Sequence, residues 1–261
     1  MTKYLAVVAI SASNRLAYTR EALVRSAFYL MILFVLIQLW SAIFAQQGGT
    51  VAGFGPLQMV GYLVMTEALL LSWPPFEIEM SEEVVSGQVA YRLLRPVHFV
   101  GMWFGRYVGE FLVNFTLNLS LGLLAFRLFF GSLGEGYAHP LALLTVITLA
   151  TSLHFLMVCS IGLLSFWLEQ VRPFRWIYDK VLFTLGGLLI PIDAFRGSFR
   201  DLLDFLPFAR ILYAPARLTV SWDAGFFRET LVFGGIWILL MLAVVTALYR
   251  RGVKNLHAQG G

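Results

Sequence analysis

The sequence predicts an all-α integral membrane protein that has six transmembrane helices and both termini on the inner side of the membrane. Of its 261 residues, 59% are hydrophobic and only 13% are charged, whereas charged residues supply about 25% of a typical chain. The apolar residues are grouped into six runs, and a helix needs about 20 mostly apolar residues to cross the bilayer hydrocarbon. We therefore expect one membrane domain over residues 1–261, with spans at 27–45, 57–73, 99–130, 141–168, 177–192 and 231–249.

The N-terminal segment, residues 1–25, is predicted to form a helix at the membrane interface. Lys3 precedes a short apolar stretch, but Ser11, Ser13 and Asn14 follow too soon for this stretch to span a membrane. Because no long secreted domain comes after it, we predict an interfacial helix and not a cleaved signal peptide.

The orientation follows from Lys and Arg residues near the ends of the spans. With both termini inside, 13 of the 19 Lys and Arg residues lie on the inner side. The short loops decide the case, because loop 46–56 carries no charge and loop 169–180 carries three basic residues. We interpret the net charge of +4 as a sign of topology and not of nucleic-acid binding. A multi-pass protein of the cytoplasmic (inner) membrane of a prokaryote, surrounded by membrane lipids, is expected.

The fifth span and the segment that follows it are irregular. A glycine pair at 186–187 and Pro191 interrupt the fifth span, so this helix is expected to break near its outer end. The outer segment, residues 193–230, alternates charged residues with Leu, Phe, Ile and Tyr, which predicts one or two short helices on or dipping into the outer face. Pro207 and Pro215 are expected to punctuate them.

Motifs for chemistry are absent from the sequence. It contains no GxxxxGK[ST] loop for nucleotide phosphates, so we expect no cofactor on this chain and any ATP and Mg²⁺ on a partner. The single cysteine, Cys159, excludes an internal disulfide, and the four histidines lack metal-ligand spacing. Without a GxSxG elbow, His154 is predicted to be a buried, hydrogen-bonded residue and not a catalytic one. The chain is not expected to be an enzyme.

Polar residues inside the third span need a reason, because a charge at mid-bilayer costs about 2.5 to 3.5 kcal/mol on insertion scales. Such residues recur at every fourth position: Arg106, Glu110, Asn114 and Asn118. Arg106 and Glu110 are spaced to form an ion pair, and the two asparagines are spaced to bond to another helix. The stripe is either a polar track along a translocation route, or a snorkelling Arg106 near the inner surface together with ordinary contacts between helices.

Glu67 is a second isolated acid at depth, within the second predicted span. It either binds a proton or a cationic group of a substrate, or is neutralised by an arginine on a neighbouring helix.

The inner loop 74–98 predicts an amphipathic helix at the cytoplasmic surface. Ser81 is a suitable N-cap, and Glu82 and Glu83 would then lie at the positive end of the helix dipole. Helical spacing places two sets of residues on different faces: Ser81, Gln88, Arg92 and Arg95 on one, and Val85, Val89, Leu93 and Val97 on the other. This helix either turns the chain at the interface or docks a soluble partner.

The stretch "EEVVSGQVAYRLLRPV" resembles the first cytoplasmic loop of ABC-2 type exporter permeases, in the branch with an I..GELD..LLRP-like motif. The C-terminal "YRRGVKNLHAQGG" is similar to the basic, glycine-ended tail of the same branch. The resemblance extends over the whole chain, in the order of the N-terminal helix, six spans and the apolar outer segment around "LPFARILYAPARL". Gln88 and Val89 depart from the pattern, because the family often has an acidic pair there.

The resemblance implies a permease that pairs with a second copy or a related chain, and in which each copy docks onto a cytosolic ATPase subunit. It implies that residues 82–94 form the coupling helix. The coupling residues would be Glu82, Glu83, Val85, Ser86, Gly87, Gln88, Arg92 and Arg95.

Transport would follow from closure of the two ATPases, which would switch a cavity between the permeases from inside to outside. The first, second and fifth spans would line that cavity, so the resemblance brings Glu67 to the route and leaves the third-span stripe less certain to face it. The exported substrate would be hydrophobic or amphipathic.

Two other classes of function stay open. A secondary transporter would use Glu67 or Glu110 as a proton or ion site, although several convergent acids at mid-membrane are missing. An intramembrane enzyme or a structural assembly subunit is the other class, and the missing catalytic set argues against the enzyme.

Overall fold

The computed structural model describes residues 2–47, 49–94, 96–131 and 135–259. Within these ranges every regular element is helical, apart from one isolated β-bridge between Val51 and Phe54. The α-helices are α1 Thr2–Ala17, α2 Thr19–Gln47, α3 Pro56–Leu70, α4 Phe76–Val85, α5 Gln88–Leu93, α6 Phe99–Phe130, α7 Pro140–Leu163, α8 Arg172–Leu185, α9 Ser198–Phe205, α10 Ala214–Val220 and α11 Ala224–Gln259.

Four helical stretches are long and apolar enough to cross a membrane. They are Val24–Gln47, Phe99–Phe130, Pro140–Phe166 and Ala224–Lys254, at the positions of the first, third, fourth and sixth predicted spans. The all-helical membrane class is therefore confirmed, and the count of six spans stays a prediction.

The second and fifth predicted spans correspond to shorter helices. Helix α3 is apolar but has only 15 residues. Helix α8 begins at Arg172 and ends at Leu185, so it starts before the predicted span 177–192 and stops well short of its end. The expected break is present, because Gly187 has a φ of 76°, a left-handed conformation that ends the helix and favours glycine.

The N-terminal helix, α1, packs along α6, and its position at the membrane interface stays a prediction. It ends at Ala17, so the predicted interfacial segment 1–25 already includes the first turns of α2, which begins at Thr19. Glycines at every fourth position of α6 allow the close approach: a Cβ atom on Gly109 would lie only 2.4 Å from the carbonyl oxygen of Val8. The other two members of this glycine seam are Gly101 and Gly105, which face Tyr4 and Val7.

Helix α3 lies at the centre of the protein and is buried from Met59 to Leu69. It packs against α2, α6 and α10. On the α6 side, Gly122 is in contact with Tyr29 of α2 and Val64 of α3, and Tyr29 donates a hydrogen bond to the Val64 carbonyl at 3.3 Å. The short α3 is therefore enclosed by protein on several sides.

The outer segment folds back into the helix bundle. Helix α9 is followed by helical residues that include a π-helical turn, Ala209–Tyr213, and continue into α10. Arg200 and Arg217 both contact Asp193, at 2.8 and 3.8 Å, so residues 198–220 form a hairpin that turns near residue 206. Because the arm after the turn is buried against α3 and α7, we call residues 198–220 the buried hairpin.

Pro207 marks the start of the second arm of this hairpin, and Pro215 lies in the first turn of α10, where the backbone passes from the π-helical turn to α-helix. Pro215 has no N–H for the regular helical hydrogen bond. Just before it, the π-helical turn closes with a bond from the Ala214 N–H to the Ala209 carbonyl. The helix thus accommodates the proline by widening for one turn.

Candidate functional site

The inner loop is built from two helices and not from the single helix that the sequence predicts over residues 82–94. Helix α4 starts at Phe76, so Ser81 lies inside it and is not its N-cap. Ser86 and Gly87 separate α4 from α5, and Gly87 has a φ of 75°, which a continuing α-helix does not permit. We call residues 76–94 the docking segment.

The break changes which side chains of the docking segment face outward. Ser81, Val84 and Val89 are buried, whereas Val85, which was expected to share a face with Val89, is 52% exposed. Exposed apolar surface continues at Tyr91 and Leu94, which are 77% and 84% exposed. Glu82, Ser86 and Gln88 are also exposed, so the outward face combines apolar and polar side chains.

Arg92 holds the two helices of the docking segment together. It forms an ion pair with Glu83 of α4, and its Nη1 donates to the Met102 sulfur of α6 at 3.1 Å. These contacts direct its guanidinium toward the protein, although sequence spacing predicts it on the same helix face as Gln88, which is exposed. Arg95, the remaining predicted coupling residue, lies outside the described residues.

A buried carboxylate connects the base of the docking segment to the helix bundle. Glu77 is completely buried in the first turn of α4, and its Oε2 lies 2.8 Å from Nη1 of Arg175 on α8. Helix α4 also lies directly on α7, because a Cβ atom on Gly162 would lie 2.8 Å from the Met80 sulfur. Nothing in the sequence pattern distinguishes Glu77 from the exposed acids that follow it, so sequence reasoning missed it.

His154 is fully buried on α7 beside this base, which confirms the prediction of a buried, hydrogen-bonded histidine. Its Nδ1 lies 2.9 Å from the Tyr107 hydroxyl, and its ring stacks on Trp73 with 3.9 Å between centroids. Neighbouring Tyr178 of α8 has its ring 5.7 Å from the imidazole. Among the described residues no donor or acceptor meets His154 Nε2 or the Tyr178 hydroxyl.

The polar stripe of α6 forms the ion pair that its spacing predicts. Arg106 Nε donates to Glu110 at 2.9 Å, and the same guanidinium binds Glu79 of α4. Asn114 and Asn118 are buried and both donate to Ser72, just after α3. The stripe therefore contacts α4 and the end of α3 within one chain, and a role for it along a translocation route stays a prediction.

Glu67 is 3% exposed near the C-terminal end of α3. No basic side chain of the described residues lies within ion-pair distance of its carboxylate, so no neutralising arginine is found among them. Val64 and Val60, one and two turns earlier on α3, line an apolar cleft of about 620 Å³ between α2, α3 and α6. The role of Glu67 in transport stays a prediction.

A second buried charge holds the buried hairpin and was also missed from sequence. Arg210 is fully buried and donates to Glu229 of α11 at 2.9 Å and to the Asp204 carbonyl at 2.7 Å. Its guanidinium carbon also lies 5.4 Å from the Phe226 ring centre, within cation–π range. The signal in the sequence is only that arginines and acids are equally frequent in this segment, which identifies no particular pair.

Comparison with known proteins supports one family. No curated protein matches the sequence. The family model described as ABC-2 family transporter protein matches residues 30–260. Because the match covers most of the chain, including the docking segment, the buried hairpin, most of the first membrane-length helix and all of the other three, the protein belongs to the ABC-2 transporter family.

Proposed function

We propose that this protein is the transmembrane permease subunit of an ATP-driven ABC-2 exporter that moves a hydrophobic or amphipathic substrate outward. In this proposal six segments, including the short α3 and α8, cross the cytoplasmic membrane of a prokaryote with both termini inside. The permease works as a pair, with a second copy or a related chain. Two separate ATPase subunits hold ATP and Mg²⁺, and alternating access follows from their closure.

The observation that carries the proposal is the outward face of the docking segment in a chain that belongs to this family. Val85, Tyr91 and Leu94 are large apolar side chains that remain more than half exposed at a predicted cytoplasmic surface. Exposed apolar surface with a polar rim is typical of a protein interaction site. Because the sequence contains no phosphate loop, an ATPase is the partner that an ATP-driven transporter of this kind needs.

The direct test is purification of the tagged chain from membranes of cells that also express its neighbouring genes. We expect an ATPase subunit with a phosphate loop to co-purify and to hydrolyse ATP in the complex. A chain that purifies without any ATPase under several mild detergents contradicts the proposal.

Substitution of Gly87 tests the docking segment with a matched pair of variants. A Cβ atom at Gly87 would meet no atom within 4 Å, so a substitution acts through the positive φ and not through a clash. Asn tolerates this conformation and the β-branched Val does not. We expect Gly87→Val to reduce ATPase co-purification strongly and Gly87→Asn to retain most of it. Equal binding by both variants would remove the docking segment from the proposed interface.

The secondary transporter remains the alternative because Glu67 is buried without an ion-pair partner in the described chain. Glu110 is a weaker candidate, since Arg106 already neutralises it. The two functions separate in reconstituted vesicles: transport by an exporter stops without the ATPase, whereas transport by a proton-coupled carrier stops when a protonophore collapses the gradient.

A further inference from the structure

We infer that Glu77 and Arg175 are positioning residues that link movement of the docking segment to the buried hairpin. The inference rests on the proposed function, because it concerns how the binding or closure of an ATPase at the docking segment reaches the rest of the permease. The two side chains do not belong to the outward face of the docking segment, so their role is additional to that of the proposed ATPase contact.

The first step of the link lies within α4. Glu77 shares this ten-residue helix with Glu82 and Val85 of the outward face, so a force on that face moves Glu77 as part of one rigid element. The side chain of Glu77 is fully buried, whereas Glu79, two positions later, is 52% exposed. Glu77 is thus the acidic residue of α4 whose side chain is buried in the interior of the protein.

The second step crosses from α4 to α8. Arg175 is 17% exposed and lies between two acids, with Nη1 at 2.8 Å from Glu77 and Nε at 2.9 Å from Asp179 of its own helix. Among the ion pairs of the described chain, this contact is the one that joins the docking segment to α8. Both side chains are fully or largely buried, so removal of one would leave the other as an uncompensated buried charge.

The third step runs from α8 to the hairpin. The Arg175 guanidinium lies 5.9 Å from the ring centre of Tyr178, one turn farther along α8. The Tyr178 ring is 6.2 Å from that of Phe208, which follows the turn of the buried hairpin. Three contacts therefore connect the docking segment to the hairpin, and each joins side chains that are largely or partly buried.

The chain also offers a matched control for Glu77. Glu79 lies on the same helix and forms an ion pair with Arg106 of α6, but both partners are substantially exposed. Glu77→Gln and Glu79→Gln remove the same charge from the same helix. Only the first variant breaks the connection to α8.

The test follows the hairpin with an environment-sensitive fluorophore. The label is attached to D201C on α9 in a C159A background, since Asp201 is exposed and Cys159 is buried. Emission of the purified permease–ATPase complex is compared with ADP·Mg and with ATP·Mg plus vanadate, which holds the ATPases closed. We expect the two emission spectra to differ in the parent and in Glu79→Gln, and the difference to be lost in Glu77→Gln and in Arg175→Met.

The outcomes separate the two proposals. Absence of the ATPase from the parent complex contradicts the proposed function before any variant is compared. If the ATPase binds, the link is wrong if the parent emission does not respond, if Glu77→Gln responds like the parent, or if Glu79→Gln loses the response equally. Loss of ATPase binding in Glu77→Gln alone would also overturn the link, because Glu77 would then shape the docking surface itself. Arg175→Lys, which keeps the charge, is expected to retain part of the response.

Discussion

Arg210 and Glu77 are both charged side chains without solvent exposure, and the exposure of their partners decides what each substitution does. Glu229, the partner of Arg210, is 45% exposed, whereas Arg175, the partner of Glu77, is 17% exposed. An isolated charge in a low-dielectric interior is costly, but an isolated charge at the surface is solvated by water. The two ends of the Arg210–Glu229 pair are therefore not equivalent.

Removal of Glu229 is expected to destabilise the protein more than removal of Arg210. Glu229→Ala leaves a fully buried guanidinium whose remaining hydrogen bonds go to neutral groups, and a buried charge that has lost its ion-pair partner is costly. Arg210→Met fills similar space and leaves a half-exposed carboxylate, so we expect a smaller loss. Thermal unfolding of the detergent-solubilised variants measures the order, and a larger loss for Arg210→Met would contradict it.

The stability contribution of Glu77 is expected to depend on pH. Burial raises the pKa of Glu77 above its usual value of 4.5, while Arg175 acts in the opposite direction and Asp179 adds to the increase. Because the folded state then holds the proton more tightly than the unfolded state, this group favours folding at low pH and loses that contribution as the pH rises from about 4.5 through the folded pKa.

This dependence is measurable as a difference between variants. The midpoint of unfolding of the parent, relative to that of Glu77→Gln, should fall as the pH rises through this range and then become constant. A parent that gains stability relative to Glu77→Gln with rising pH would show that Arg175 outweighs burial. The same measurement shows whether Glu77→Gln is folded, so that a loss of its fluorescence response is not mistaken for misfolding.

At the scale of elements, the helices follow from apolar runs, but their ends and contacts follow from single glycines. The third span is predicted with the bounds that α6 has, because one long apolar run determines both. The docking segment is predicted as one helix and is two, because a glycine inside an amphipathic pattern does not reveal by itself that its φ is positive. The α1 position against α6 also depends on glycines that the pattern of apolar residues ignores.

The glycine seam of α6 makes a prediction with an internal control. A Cβ atom at Gly109 would lie 2.4 Å from a backbone oxygen of α1, whereas one at Gly235 of α11 would meet nothing within 4 Å. We expect Gly109→Ala to cost about 1 to 3 kcal/mol by forcing the helices apart. Gly235→Ala should leave the unfolding midpoint unchanged or slightly higher, since Ala favours helix. Equal behaviour of the two variants would show that α1 is not held at this seam.

For the whole molecule, the buried hairpin and the docking segment lie on opposite sides if both termini are inside. This topology is testable with single cysteines in a C159A background. Thr50, Ser198 and Ser86 are exposed and lie in the first outer loop, at the start of the hairpin and in the docking segment. An impermeant maleimide added to intact cells should label T50C and S198C, and should label S86C only after permeabilisation. Labelling of S86C in intact cells would invert the topology.

The sequence by itself determined the membrane class and the places of the four longest helices. Through the docking segment, it also determined the resemblance to a transporter family. These properties depend on composition and on runs of neighbouring residues, which are local. Only the tertiary structure decided which charges are buried, because Glu77, Arg175, Arg210 and Glu229 are ordinary charged residues until distant helices enclose them. It also decided that the outer segment folds into the bundle, since close packing depends on contacts between residues far apart in the chain. The docking segment can therefore be predicted from the sequence, whereas its buried base, the Glu77–Arg175 contact, is found only in the tertiary structure.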